Sequence, residues 1–188
     1  MNPSTEDIVE AIKATAADTV FVLPNNKNII MAAEQAIALC PERRVVVLPT
    51  RTVPQGLSAM LAFNPDAAAD QNADEMMAAA SRVATGQITF AARDSEFGGF
   101  KIKEGEILAL HDGKLVFADK DINKAALKLT KSMAGHDAMF VTVIYGEDIS
   151  DEQAEELLHS IETKLGSHIE VTLVKGGQPV YYYIISVE

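Results

Sequence analysis

Two short polar stretches carry the residue types best suited to holding an anion or a hydrogen-bonding ligand. They are Asn25-Asn26-Lys27-Asn28 and Thr50-Arg51-Thr52-Val53-Pro54-Gln55. Each follows a short apolar run closed by a proline, Val20 to Leu23 before Pro24 and Val45 to Leu48 before Pro49. Each also precedes apolar residues at helical spacing. In open α/β sheets, ligands bind in the crevice outside the carboxyl ends of the strands. Helix N-termini there offer backbone N–H groups to anions. Asn25, Asn26, Asn28, Thr50, Thr52 and Gln55 would supply neutral hydrogen bonds, and Lys27 or Arg51 a positive charge, so a carboxylate or phosphate suits the pair of loops. The same residue types also cap helices and form turns. A cap can border a binding surface, so both readings stand on the sequence.

Other chemistry is hard to find. Neither a Gly-x-x-x-x-Gly-Lys-Ser/Thr phosphate loop nor a Gly-x-Gly-x-x-Gly fingerprint occurs. His111, His136, His159 and His168 are not spaced as metal ligands, and Cys40 has no cysteine partner. Cys40, before Pro41, reads as a buried structural thiol. Ser58 is not in a nucleophile elbow. The acids Glu147, Asp148, Asp151, Glu152, Glu155 and Glu156 read as a solvated, dipole-matched helix start, or else as a docking face for a basic partner. Tyr181-Tyr182-Tyr183 reads as strand, or as an interface.

The elements that position these residues follow from periodicity. Residues 4–17 form an amphipathic helix, with Ser4 and Asp7 resembling a capping box. Two strand–loop–helix units follow, then a helix over about 70–84 stopped by Gly86. This alternation implies a parallel α/β sheet. The pattern then turns β-rich, with a turn at Gly98-Gly99 and a hairpin at Asp112-Gly113. A helix over 122–133, a strand over 138–145, a helix capped by Ser150 and Gln153, and a closing hairpin about Gly176-Gly177-Gln178-Pro179 complete the chain. The expected organisation is a parallel α/β lobe over 1–94 and a smaller, hairpin-containing mixed α/β lobe over 95–188.

The chain has 188 residues, enough for one large domain or two small lobes, and 48% of them are hydrophobic. Its 27 acids and 16 bases give a formal net charge of −11. A surface that negative repels phosphate backbones and anionic headgroups, which argues against nucleic-acid partners. No apolar run approaches the ~20 residues of a membrane span, and no secretory signal opens the chain. The single cysteine fits a reducing, cytoplasmic setting.

Four stretches together resemble one family: Met1-Asn-Pro-Ser-Thr-Glu-Asp-Ile, Leu23-Pro-Asn-Asn-Lys-Asn-Ile, Leu48-Pro-Thr-Arg-Thr-Val-Pro-Gln-Gly, and Gly176-Gly-Gln-Pro-Val-Tyr-Tyr-Tyr-Ile-Ile-Ser-Val-Glu. They are similar, in order and spacing, to the C-terminal region of the dihydroxyacetone-kinase-like (DhaL type) ATP-binding subunit of bacterial fatty-acid kinase. The resemblance implies a DegV-like (EDD-type) fold. It also implies that Met1 corresponds to an internal position, with the ATP- and magnesium-binding kinase domain upstream, so no cofactor is expected in this chain. The implied role is non-catalytic: recruiting and positioning a DegV-type fatty-acid-binding protein for acyl-phosphate formation, a step that feeds phospholipid synthesis. A homodimer through the full-length subunit is a further expectation. The motif residues Asn2, Ser4, Thr5, Asn25, Asn26, Asn28, Thr50, Arg51, Thr52 and Gln55 become the candidate ligand- or partner-binding set. Two alternatives accompany this reading: a small-molecule or fatty-acid-binding domain using the strand-end crevice, and an enzyme with an unrecognised site.

Overall fold

The computed structural model describes residues 2–97 and 100–188, and the chain divides into two compact units, 1–83 and 84–188. The turn expected at Gly98-Gly99 lies outside the described residues.

The first unit runs α1 (Thr5–Ala14), β1 (Thr19–Val22), α2 (Lys27–Ile37), β2 (Arg44–Val47), α3 (Val53–Leu61) and α4 (Ala69–Ser81). β1 and β2 pair in parallel, from Thr19 opposite Arg44 to Val22 opposite Val47. Side chains alternate faces along a strand, and here both faces are apolar. Val20, Val22, Val45 and Val47 pack with Ile8, Ile12, Ala33, Ala36 and Cys40 of the α1–α2 layer. Phe21, Leu23, Val46 and Leu48 pack with Ala59, Met76 and Ala80 of the α3–α4 layer. This two-sided burial is what a parallel βαβ unit requires. Cys40 is fully buried, as its reading as a structural thiol anticipates. Asn72, also buried, fixes the α3–α4 connection: its side chain accepts the N–H of Asn64 at 2.8 Å and donates to the carbonyls of Asn64 and Ala67.

The second unit runs β3 (Ala84–Phe90), β4 (Ser95–Phe97), β5 (Phe100–Ile102), β6 (Ile107–His111), β7 (Lys114–Asp119), α5 (Ile122–Met133), β8 (Phe140–Tyr145), α6 (Asp151–Leu165), β9 (Glu170–Lys175) and β10 (Tyr183–Val187). Six strands form one sheet in the order β7-β6-β3-β10-β8-β9. Only β8 and β9 pair in parallel, joined by the α6 crossover. Ile88, Ala109, Val141, Val143, Tyr183 and Ile185 form a core with Ala125, Leu129, Ala154, Leu157 and Ile161 of the two helices. β4 and β5 pair separately.

Three expectations are corrected. The boundary falls after Val83 rather than after residue 94, because β3 pairs with β10 and β6. The second unit is therefore the longer, not the smaller. Gly86 does not stop α4, which ends at Ser81; it sits inside β3, where a Cβ would lie 2.6 Å from Met133 Cε and 2.9 Å from Leu129 Cδ2. The glycine lets α5 approach the sheet. The closing hairpin is absent: β9 pairs with β8, and β10 inserts antiparallel between β8 and β3.

Candidate functional site

The two polar loops do meet, at the carboxyl ends of β1 and β2. Asn25, held at φ 55°, and Thr50 are 25 positions apart and bonded twice. The Thr50 hydroxyl donates to Asn25 Oδ1 at 2.8 Å and accepts the Asn25 N–H at 3.1 Å. Asparagine tolerates the left-handed region better than most residues. Thr50 is fully buried. Gly56, in the first turns of α3, makes the arrangement fit: a Cβ there would lie 2.1 Å from Asn25 Oδ1.

The surrounding residues are mostly engaged in capping. The Asn26 side chain caps α2 by accepting the Asn28 N–H at 2.9 Å, and its Nδ2 reaches Asn2 Oδ1 at 3.5 Å. Thr52 caps α3 through the Gln55 N–H, and the Gln55 side chain reaches back to accept the Arg51 N–H at 2.8 Å. Ser4 and Asp7 form the capping box of α1. The Ser4 N–H, then its hydroxyl, hold the Asp7 carboxyl below the usual carboxylate range. The Thr5 hydroxyl donates to Gln35 Oε1 at 3.3 Å, linking α1 to α2. Hydrogen bonds thus join these residues in three separate groups: Asn25 with Thr50, Asn2 with Asn26, and Arg51 and Thr52 with Gln55. Ser4 and Thr5 belong to the start of α1, and Asn28 lies exposed on α2. The side chains of Lys27 and Arg51 are exposed. Lys27 stands two positions after Asn25 and Arg51 one after Thr50.

A second strand-end cluster does not stand out in the sequence alone. Tyr145 closes β8, Lys175 closes β9, and both donate to Asp151 Oδ1 at the start of α6, at 2.8 and 2.7 Å. The rule that flags Asn25 and Thr50, polar residues following a parallel strand, finds this cluster only once 138–145 and 169–174 are known to be parallel neighbours. Lys175, then Tyr145, hold the Asp151 carboxyl below its ordinary value, while the bonds to Asp151 raise both Lys175 and Tyr145. A depressed carboxyl stabilises the fold above its unfolded value, and that contribution is lost as pH falls through the lower folded value. The Asp151 carboxyl ¹³C resonance should therefore titrate below 3.8 and return toward 3.8 in Lys175→Gln. An unchanged midpoint in that variant would refute the Lys175 bond as its main cause.

Among the described residues, no three or more His, Cys, Asp or Glu side chains are grouped to hold a metal ion. Nor does the sequence carry a phosphate-loop motif for a nucleotide. Among the described residues, no helix is long and apolar enough to cross a membrane.

Known proteins share this fold. The fold resembles a DegV family protein from Corynebacterium glutamicum, with a TM-score of 0.70 at 15% identity over 99% of this chain and 82% of that one. It also resembles a DegV lipid-binding protein from Thermotoga maritima, with a TM-score of 0.67 at 14% identity over 100% of this chain and 76% of that one. At those identities the likeness concerns the fold alone. In sequence, the chain is 48% identical over 188 residues to Protein YloV of Bacillus subtilis, covering all of this chain but 34% of YloV. Residues 1–188 match the FakA-like C-terminal family of fatty acid kinase, and the chain belongs to that family.

Proposed function

We propose that this chain is a non-catalytic docking module, recruiting a DegV-type fatty-acid-binding protein so that its bound carboxylate meets a kinase domain elsewhere in the full-length protein. ATP and magnesium would be held by that domain. The gain would come from proximity, which turns a bimolecular encounter into an effectively intramolecular one. The observation that carries the proposal is the exposed side of α3. Val53, Leu57, Met60 and Leu61, at helical spacing, are 44%, 46%, 61% and 89% exposed. Phe63, just beyond the helix, is 46% exposed. Exposed apolar patches of this kind mark interaction surfaces more often than scattered single residues do. In the strand-end crevice, by contrast, Asn25, Thr50, Thr52 and Gln55 are engaged in local hydrogen bonds.

Calorimetric titration of the chain with a DegV-type protein loaded with fatty acid should give saturable heat. Leu61→Asp, at a position too exposed to disturb the core, should weaken binding about tenfold or more, as a charge in an apolar contact does. No heat and no co-elution at high concentration would overturn the docking role. Native mass spectrometry of the chain mixed with free fatty acid tests the alternative. A bound acyl chain in the absence of the partner would favour a binding domain instead.

A further inference from the structure

Unrelated to the docking surface, an open depression of about 240 Å³ lies where the ends of α5 and α6 meet the starts of β8 and β9. His136, Lys164 and His168 line it, over a floor that includes Leu165 and Ile169, and no carboxylate belongs to its lining. In a chain with 27 acids and 16 bases, an acid-free depression with three basic side chains stands apart. The remaining histidines show the contrast. His111 Nε2 lies 3.4 Å from Asp112 Oδ2, and His159 Nδ1 lies 4.0 Å from Glu162 Oε2. Among the described residues, no ion pair or side-chain hydrogen bond engages His136, Lys164 or His168.

A larger depression in the first unit, about 440 Å³, has a different character. Asp18 and Glu42 are in its lining, and its one base, Arg43, already donates to the carbonyls of Lys13, Thr15 and Ala17.

We infer that His136, Lys164 and His168 bind a phosphoryl group, either as inorganic phosphate or on a small phosphomonoester. Such a group offers three acceptor oxygens and close to two negative charges. Two imidazoles and one ammonium supply N–H donors to match, and the charge-assisted bonds are the strong ones. The C-terminal ends of α5 and α6 put partial negative charge here, which the three basic side chains must outweigh; the two glycine carbonyls just beyond them are already engaged, Gly135 O by the Ala138 N–H and Gly166 O by the Ile169 N–H. Complementing the α6 C-terminus accounts for Lys164 by itself. It does not account for two histidines arriving from separate loops.

The test is imidazole NMR of the whole chain, titrated with inorganic phosphate and separately with methyl phosphate, at constant ionic strength set with sodium chloride. His136 and His168 should shift along one shared saturating curve while His111 and His159 stay still. Saturation by phosphate alone assigns the free ion, and saturation by both assigns the phosphoryl group in general. Lys164→Gln should weaken binding about fivefold or more while leaving the amide spectrum folded. Non-saturating shifts, equal movement of all four histidines, equal saturation by acetate, or a Lys164→Gln curve matching the parent would each overturn the assignment.

Discussion

Replacing Gly146 by alanine should destabilise the chain by about 3 kcal/mol, the upper range for overpacking with lost hydrogen bonds. Gly146 follows β8, and its N–H donates to Tyr182 O at 2.9 Å. A Cβ there would lie 2.3 Å from Tyr181 O and 2.6 Å from Gln178 O. Both are backbone atoms, so no rotamer change relieves the contact. The Gln178 carbonyl accepts the Glu147 N–H at 3.1 Å, and the Tyr181 carbonyl accepts Gln178 Nε2 at 3.3 Å. Moving either carbonyl therefore loosens the joint between the end of β8 and the segment leading into β10. Gly146 is not among the glycines with positive φ, so the effect is steric rather than conformational. Gly135 is the control. Nothing lies within 4 Å of its Cβ position, and its φ is also not positive. Gly135→Ala should be neutral or stabilising by about 0.4–1 kcal/mol, through the entropy of the unfolded chain. Urea midpoints at unchanged m-value decide the matter. Equal effects at the two glycines would refute the packing argument.

Local signals are legible in the sequence, and long-range pairing is not. The α5 bounds, the Ser150–Gln153 capping box and the Asp112-Gly113 turn are all set by residues within a few positions of one another. Asp112 and Gly113 take φ 49° and 75°, the left-handed pair a tight hairpin needs. β3 depends on β10, about a hundred positions later, and nothing within Ala84–Phe90 announces that partner. Gly176-Gly177-Gln178-Pro179 looks like a hairpin turn, yet the segment carries the chain past β8, because β8 lies between β9 and β10 in the sheet.

The candidate crevice divides in the same way. Prolines and periodicity are enough to put Asn25 and Thr50 at strand ends. Their bond to each other is not legible, because the pairing depends on the register of β1 against β2 and on Gly56 leaving room. The Tyr145–Asp151–Lys175 cluster is hidden for a related reason, since its members meet only when β8 and β9 run in parallel.

The Asn25–Thr50 pair yields the second large effect. Thr50→Val keeps the shape of the side chain but removes a hydroxyl that serves Asn25 as both donor and acceptor. Two polar groups of Asn25 then lose their partner beside a fully buried position. Leaving buried groups unsatisfied costs about 1–3 kcal/mol each; with Asn25 only part-buried, the expected loss is about 2 kcal/mol in total. Thr50→Ser retains the hydroxyl and should lose about half as much, chiefly one buried methyl. Arg51→Ala, next in sequence but exposed, should stay within about 0.5 kcal/mol of the parent. Asn25→Gly supplies the remaining arm. Glycine accepts the positive φ that Asn25 holds and has no Oδ1 to satisfy. In that background the cost of Thr50→Val should shrink, with a coupling energy of about 1 kcal/mol between the two positions. Additive losses would mean that the two residues stabilise the strand ends separately. Strong coupling would mean that the polar groups of this crevice are committed to one another. In that case a ligand or partner would find Asn25 and Thr50 already engaged, with Lys27 and Arg51 the exposed charges nearest them in sequence.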